Sequence, residues 1–355
     1  MNSSKELCQK SVVDIIEAIN NNPILSPTFT ETVNESKKIL LIIDKEVPQN
    51  IVDSLIDKIG NKEYKIITPF EYNAKKYDFF GITKGHTPVL IDEEFLKHDT
   101  VIVVSFVKYH YLLGYTGGKN LIFTGISSEK SRNSLYKKAI DFDNCCVNEY
   151  CKTGNIKNNI IDSQCLDATM IIRQNAYYFA INLIGDIDNN VIDVTCGDLF
   201  MSHNKACEIF SSIYPLSKEN SATGRVLVLD NSSLQNQINI ISQSLIGLEK
   251  GSRLFIDARK VEEIGSKEFV EALYIGNVDE ICNKMRDEFN IDMMTAFIIK
   301  DIARKYHIAV SSNLDKGILI QAGLNNIDIE EKGVFLKDCN NVSEVFNANG
   351  FTANR

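Results

Sequence analysis

The residues best suited to chemistry in this chain lie in His110–Asn120, which reads His-Tyr-Leu-Leu-Gly-Tyr-Thr-Gly-Gly-Lys-Asn. This stretch closely follows the apolar run Val101–Val104, a pattern typical of a buried parallel strand. In open α/β sheets, ligands bind at the carboxyl ends of strands, where glycine-rich turns offer backbone N–H groups. The glycine spacing is neither that of a Walker phosphate loop nor that of a dinucleotide-binding fingerprint. The stretch therefore predicts a ligand site of another kind.

Two side chains of this stretch could take part directly in such a site. His110 belongs to the residue type that exchanges protons near neutral pH, and the Lys119 ammonium could lie beside a phosphate. The alternatives are a hydrogen-bonded histidine at a strand end and a solvated loop lysine. We predict that these two side chains belong to a ligand site together with Gly114, Thr116, Gly117 and Gly118.

The order of residues in this motif resembles that of the nickel-dependent lactate racemases, which use a nickel-pincer nucleotide. The shared pattern is an apolar strand, a histidine, and Gly-aromatic-Ser/Thr-Gly-Gly followed by a basic residue. Further segments resemble family motifs in the same order, and these are Glu17–Ile24, Gly81–Asp92, Gly154–Asn155, Asn182–Leu183 and Gly197–His203. The resemblance implies that His110 is the catalytic group, which exchanges a proton with the hydroxyl of a 2-hydroxy acid. It also implies that the cofactor is bound by the loop residues Gly114, Thr116, Gly117, Gly118 and Lys119.

Several elements of the family pattern are absent. Asp44–Val47 stands where the family has the arginine that holds the substrate carboxylate, and Lys65–Tyr72 where it has a second catalytic histidine. His86 is the nearest replacement for that histidine, with an exposed turn residue as the alternative. Asn120 occupies the position of the lysine that bonds the cofactor, one residue after Lys119, unless the loop is shifted by one residue.

The metal and second-domain positions depart from the family as well. Asn133 and Ser134 fall where the family has its nickel-ligating histidine, and neither side chain is a good nickel ligand. The helix that carries a lysine in the family's second domain corresponds to Gln235–Asn239, which has none. The resemblance implies a nickel-pincer nucleotide as cofactor, whereas these departures argue against it, and no other cofactor is indicated.

The remaining histidines and the cysteines have simpler interpretations. His203 fits the family pattern and is expected to be structural, while His98 and His307 are expected at the surface. Nine cysteines without a signal-peptide pattern favour reduced thiols. The cluster of Cys145, Cys146 and Cys151 could bind a soft metal, but it lacks paired spacing and a fourth ligand. Buried or incidental thiols are therefore expected.

Composition limits the classes of protein to which the chain can belong. Its 355 residues, 44% apolar and 24% charged, are sufficient for two hydrophobic cores. A net charge of -9 argues against a nucleic-acid partner, because such proteins concentrate lysine and arginine on one face. No apolar run approaches the roughly 20 residues of a membrane helix, and no signal peptide is recognised. We expect a cytoplasmic protein that does not bind membranes.

Alternating strand and helix patterns predict the fold class. Strands are predicted at Lys38–Ile43, Tyr64–Ile67, Thr100–Val104, Asn190–Thr195, Arg225–Leu229, Gly251–Asp257 and His307–Ser311. Helices are predicted at Ser11–Asn20, Ile51–Ile59, Asp198–Tyr214, Leu234–Leu248, Lys267–Tyr274, Val278–Phe289 and Met293–Lys305. This order predicts two α/β domains with doubly wound, mainly parallel sheets and an interdomain cleft.

The linker Pro215–Gly224, rich in Ser, Asn and Thr, sets the predicted domain boundary. The N-terminal domain, residues 1–222, carries the histidine and glycine-rich loop. A Rossmann-like α/β domain covers residues 223–340, and residues 341–355 form a tail.

Three functions are compatible with these residues. The chain could be a divergent racemase-like enzyme acting on another 2-hydroxy acid, a catalytically inactive homologue serving as a binding or regulatory module, or a metal-free enzyme. If it is an enzyme, the resemblance implies an isomerase of the racemase or epimerase type. Our preferred interpretation is a divergent lactate-racemase-like protein that binds an anionic nucleotide or 2-hydroxy-acid-like ligand in the interdomain cleft, without racemising lactate at ordinary rates. The sequence leaves the oligomeric state open.

Overall fold

The computed structural model describes residues 9–71, 76–216, 222–230, 232–348 and 351–354. Part of the predicted linker, residues 217–221, lies outside these ranges, as do Tyr72 and Cys8. The helices are α1 (Val12–Asn21), α2 (Phe29–Glu35), α3 (Gln49–Ile59), α4 (Gly118–Ile126), α5 (Glu129–Lys137), α6 (Ile160–Ile172), α7 (Leu199–Ile213), α8 (Ile238–Ser244), α9 (Lys267–Leu273), α10 (Val278–Asp287), α11 (Ile291–Lys305), α12 (Lys316–Gln321) and α13 (Lys332–Leu336). Among the described residues, no helix combines the length and apolar character needed to cross a bilayer.

The strands of the described ranges form two main sheets and three short pairs. They are β1 (Pro23–Ile24), β2 (Lys38–Ile43), β3 (Glu63–Ile67), β4 (Tyr77–Ile82), β5 (Pro88–Asp92), β6 (Thr100–Phe106), β7 (Tyr109–His110), β8 (Gly114–Tyr115), β9 (Ile140–Asp141), β10 (Cys146–Val147), β11 (Tyr177–Gly185), β12 (Val191–Gly197), β13 (Gly224–Val228), β14 (Arg253–Asp257), β15 (His307–Ser311), β16 (Asn325–Asn326), β17 (Val342–Ala348) and β18 (Phe351–Asn354). The predicted mixed α/β fold with mainly parallel sheets is confirmed.

The chain divides into two compact units. The described parts of Met1–Leu135 and Lys152–Tyr214 form the first unit, and those of Tyr136–Cys151 and Pro215–Arg355 form the second. The predicted first domain, residues 1–222, thus included a segment that packs in the second unit. The prediction of a tail at residues 341–355 is also corrected, because β17 is an internal strand of the second sheet. The predicted cleft stays a prediction.

The first unit is built on a six-stranded sheet of order β1-β12-β11-β6-β2-β3, antiparallel only between β11 and β12. The apolar runs of β2 and β6 are buried on both sides, which is typical of parallel strands with helices on both faces. On one face, Leu41 and Val104 pack against Ile15 of α1 and Leu55 of α3. The other face is contacted by α4 and α7.

Two features show how local sequence sets this sheet's edges. Pro23 ends the predicted first helix and then opens the edge strand β1, paired in parallel with Cys196 of β12. Proline suits an edge because it has no N–H to give to a neighbouring strand. The predicted Asp198 cap of α7 is confirmed, since its carboxylate accepts from the N–H groups of Phe200 and Met201 at 3.0 and 3.1 Å.

The second unit contains a six-stranded sheet of order β16-β15-β14-β13-β17-β18, antiparallel only between β17 and β18. Buried Val226, Phe255 and Ala309 from three neighbouring strands pack with Leu336 of α13. The predicted Leu234–Leu248 helix is shorter in the structure, where only α8 is helical and turns precede it. The other predicted helices and strands of this unit lie within a few residues of their expected places.

Candidate functional site

The stretch His110–Asn120 follows β6, whose carboxyl end lies between those of β2 and β11. It is an ordered hairpin, in which β7 pairs with β8 and His110 faces Gly114. Thr116 closes the hairpin, because its N–H donates to the Lys108 carbonyl at 2.8 Å and its hydroxyl accepts from the Lys108 N–H at 3.0 Å. Thr116 therefore binds the end of the hairpin to Lys108, just before its first strand.

His110 is half-buried, and its protonation is set by the hairpin turn. Its Nδ1 accepts hydrogen bonds from the N–H groups of Leu112 and Leu113, both at 3.1 Å. A neutral imidazole has one donor and one acceptor nitrogen, so the proton lies on Nε2. Desolvation lowers the pKa of His110 to about 4, and the ring stacks on Tyr111 with centroids 4.8 Å apart. His110 is thus a neutral side chain with Nε2–H as its donor at neutral pH.

The three glycines of the stretch are required by close packing within the protein. Gly114, Gly117 and Gly118 have φ values of 85°, 83° and 49°, which disfavour residues with a Cβ. A Cβ on Gly117 would lie 2.7 Å from the Phe106 carbonyl oxygen, and one on Gly118 would lie 2.7 Å from the His203 ring. A Cβ on Gly114 would contact the backbone of Asn155. The fold itself therefore explains the glycines.

Lys119 is buried at the start of α4, where its ammonium lies 2.5 Å from Asp162 Oδ1 and 3.3 Å from Asn120 Oδ1. Lys119 is 3% exposed and Asp162 8%, so the pair is held away from water. Asn120 donates to Asp162 at 3.2 Å and to the Tyr115 carbonyl at 3.0 Å. The ammonium is neither solvated, as one interpretation expected, nor presented to a surface phosphate, because Asp162 neutralises it inside the protein.

His203 adds a second neutral imidazole beneath the hairpin. Its Nε2–H donates to the Thr116 carbonyl at 2.8 Å, and desolvation, followed by the charge of Lys119, lowers its pKa to about 4. Cys207 Sγ lies 3.8 Å from the same nitrogen, but burial raises the pKa of Cys207 to about 12. A protonated thiol is a poor nucleophile. The pair is therefore structural, as expected for His203.

The other three histidines lie in different settings. His86 is exposed with a φ of 65° in a turn where its N–H donates to Thr83, which fits the exposed-turn alternative. The prediction that His98 is at the surface is wrong. It is 8% exposed, with Nδ1 2.7 Å from the Glu94 carbonyl. His307 is exposed at the start of β15, as expected.

Sequence analysis did not identify two carboxylates, those of Asp162 and Asp44, as candidate site residues. Asp162 pairs with Lys119 across 43 residues, a proximity that only the fold creates. Asp44 directly follows β2, and its N–H donates to the Val104 carbonyl at 2.9 Å, at the sheet edge where the hairpin begins. Desolvation, reinforced by nearby Glu46, raises the pKa of Asp44. Its position after a buried parallel strand was the signal available from sequence.

The residues present do not fit a nickel-pincer nucleotide attached as the resemblance implies. Asn120 and Lys119 are both bound to Asp162, and Asn133 donates to Glu129 at 3.4 Å on α5. Gln235 is held between Asp292 and the Ser266 N–H. Within the described ranges, no group of three or more His, Cys, Asp or Glu side chains is arranged to hold a metal ion.

Comparisons with known proteins agree with the resemblance seen in the sequence. Residues 48–141 match the family described as the lactate racemase N-terminal domain. A lactate racemase of Thermoanaerobacterium thermosaccharolyticum is 23% identical over 195 residues, which are 55% of this chain and 42% of that protein. The match thus spans less than half the length of this curated relative.

Solved structures share the fold. The lactate racemase apoprotein of the same organism superposes with a TM-score of 0.82 at 17% identity, covering 97% of this chain and 93% of the other. A Thermotoga maritima protein solved by structural genomics superposes with a TM-score of 0.69 at 14% identity, covering 97% of this chain and 99% of the other. The chain therefore has the fold of a lactate racemase, and its residues 48–141 match the lactate racemase N-terminal domain.

Proposed function

We propose that this protein binds a small anion through His110, either a 2-hydroxy acid or the phosphate of a nucleotide, and does not racemise lactate. The observation that carries the proposal is the pair of backbone hydrogen bonds to His110 Nδ1. They leave Nε2–H as a donor suited to an anionic oxygen. The glycines and Thr116 support this donor by holding the hairpin together.

The same two bonds oppose proton exchange by His110. To act as a base, Nε2 must lose its proton to Nδ1, and to act as an acid the ring must be protonated on both nitrogens. Either change puts a proton on Nδ1 and breaks its bonds to Leu112 and Leu113, each worth about 0.5–1.5 kcal/mol. A pKa lowered to about 4 further disfavours the charged ring at neutral pH. These facts favour binding over racemisation.

A second candidate is an isomerase that acts on another 2-hydroxy acid. Asp44 favours it, because a carboxyl group whose pKa is raised by burial can exchange a proton closer to neutral pH. The test is an assay of the wild type with a panel of 2-hydroxy acids. Turnover by the wild type that is lost in Asp44→Asn would support this candidate. No turnover by the wild type would rule it out and leave the binding function as the proposal.

The binding proposal is tested by calorimetry with lactate and with a nucleoside monophosphate. His110→Asn is the informative variant, since the asparagine oxygen can accept from the Leu112 N–H in an Asx turn while Nε2–H is lost. We expect affinity for the bound probe to fall about tenfold or more, since a hydrogen bond to a charged group contributes about 1.5–3 kcal/mol.

His307→Asn, at an exposed histidine of the second unit, is the matched control and should bind as the wild type does. Wild-type affinity in His110→Asn, or no binding of either probe to the wild type, would contradict the proposal.

A further inference from the structure

The segment Tyr136–Cys151 belongs to the second unit although the chain on both sides of it belongs to the first. Its strands β9 and β10 form a short antiparallel pair. The connecting turn is ordered, because Asp141 Oδ1 accepts from the N–H groups of Asp143 and Asn144 at 3.0 and 3.1 Å. The segment thus presents a defined turn ending at Cys145, whose φ is 45°.

Three cationic side chains fix this turn on helices α10 and α11. Arg286 donates to the Phe142 carbonyl and lies over the Phe142 ring at 5.5 Å. Lys137 donates to the Arg286 carbonyl at 2.5 Å, and Arg304 donates to the Cys145 carbonyl at 3.2 Å. The turn that ends at Cys145 is therefore contacted by both helices.

Cys282 lies on α10 one turn before Arg286, and residues four apart share a helix face. The arginine that contacts Phe142 thus lies on the same face of α10 as Cys282, and the thiols of Cys145 and Cys282 are close enough to interact. Cys282 is fully buried and Cys145 half-buried. A small oxidant therefore meets Cys145 first.

We propose that Cys145 and Cys282 form a reversible disulfide on reaction with a low-molecular-weight disulfide. The Cys145 thiolate attacks one sulfur of that molecule, which forms a mixed disulfide and releases a small thiolate. Cys282 then gives its proton to the released thiolate and attacks the Cys145 sulfur. This step releases a second small thiolate, which takes up from water the proton that Cys145 had lost. The two protein thiols lose two electrons and two protons, and the small disulfide gains them.

Burial, followed by the hydrogen bond with Cys145, raises the pKa of Cys282 to about 12. Cys282 is therefore protonated in the reduced protein, where Cys145 makes the first attack, and it reacts only after it has given its proton to the thiolate released in that step. The product would link the Tyr136–Cys151 segment covalently to α10. This inference is independent of the ligand proposed for His110.

The test uses the full chain, reduced and then exposed to oxidised glutathione, with peptide mapping by mass spectrometry under non-reducing conditions. We expect a Cys145–Cys282 linked peptide that disappears on treatment with dithiothreitol. Proteolysis within residues 136–151 should slow severalfold in the oxidised protein. Cys146→Ser, which alters the adjacent half-buried cysteine, is the matched control and should form the same link.

Cys282→Ala separates the two steps, because the reaction should stop at a glutathione adduct on Cys145. The peptide map of the oxidised wild-type protein tests the proposal even if this buried variant folds poorly. A wild-type protein in which Cys282 stays a free thiol after Cys145 has reacted, or in which Cys145 links to another cysteine, would overturn the proposal.

Discussion

At the scale of single residues, the Lys119–Asp162 pair explains why a lysine in a glycine-rich loop can be unavailable to a ligand. Both groups are buried, and the ammonium also contacts Asn120. A buried ion pair of this kind stabilises the fold little more than apolar side chains of the same size would. The loss of one partner, however, leaves a buried charge without compensation, which is strongly destabilising.

Asp162→Asn should therefore lower the free energy of unfolding by about 3–5 kcal/mol, measured by urea denaturation. Adding Lys119→Met should recover part of that loss, because no buried charge then remains. Glu63→Gln breaks the exposed ion pair with Lys38 and serves as the control, with an expected effect of up to about 1 kcal/mol. Equal losses in Asp162→Asn and Glu63→Gln would show that the buried pair is not as described.

Sequence reasoning identified His110 and Lys119 but not the groups that decide their chemistry. The state of His110 depends on two backbone N–H groups presented by its own turn, and that of Lys119 on a carboxylate 43 residues away. Residue type and spacing indicate what a side chain could do. Its hydrogen-bond partners, which only the folded chain supplies, decide what it does.

At the scale of elements, the hairpin β7–β8 and helix α4 meet at Gly117, which has φ 83° and ψ -178°. This backbone region is essentially restricted to glycine, and a Cβ there would also press on Phe106. The join between hairpin and helix therefore depends on this residue.

Gly117→Ala should destabilise the protein by about 1–3 kcal/mol more than Gly60→Ala does. Gly60, in the same unit, also has a positive φ of 63°, but a Cβ there would meet nothing within 4 Å. Thermal or urea unfolding of the two variants gives the comparison. Similar losses in both would mean that backbone strain alone, without the contact to Phe106, accounts for the glycine.

The elements that sequence predicted well are those whose apolar pattern repeats along the element, such as β2, β6 and α11. Those it missed depend on distant partners. The two-residue strand β1 exists because β12 lies beside it, and β17 because β13 offers an open edge. The Tyr136–Cys151 segment carries no composition shift that marks its place in the second unit. Local patterns cannot reveal such pairings.

At the scale of the whole molecule, the fold matches that of a lactate racemase, whereas the contacts of the candidate site residues are particular to this chain. A lactate racemase structure at 17% identity covers nearly the full chain, because the pattern and volume of buried side chains largely specify a fold. Function depends on particular groups in particular places. Here Lys119 and Asn120 both contact the buried Asp162, and His110 is held in one protonation state.

The most direct test of this account is an assay of lactate racemisation by the folded protein supplied with nickel-pincer nucleotide. Circular dichroism before and after the assay confirms that the protein is folded. We predict that neither lactate enantiomer is converted to the other above a control containing the cofactor alone. A clear protein-dependent rate of interconversion would contradict the account, since it would require His110 or another group to exchange the proton.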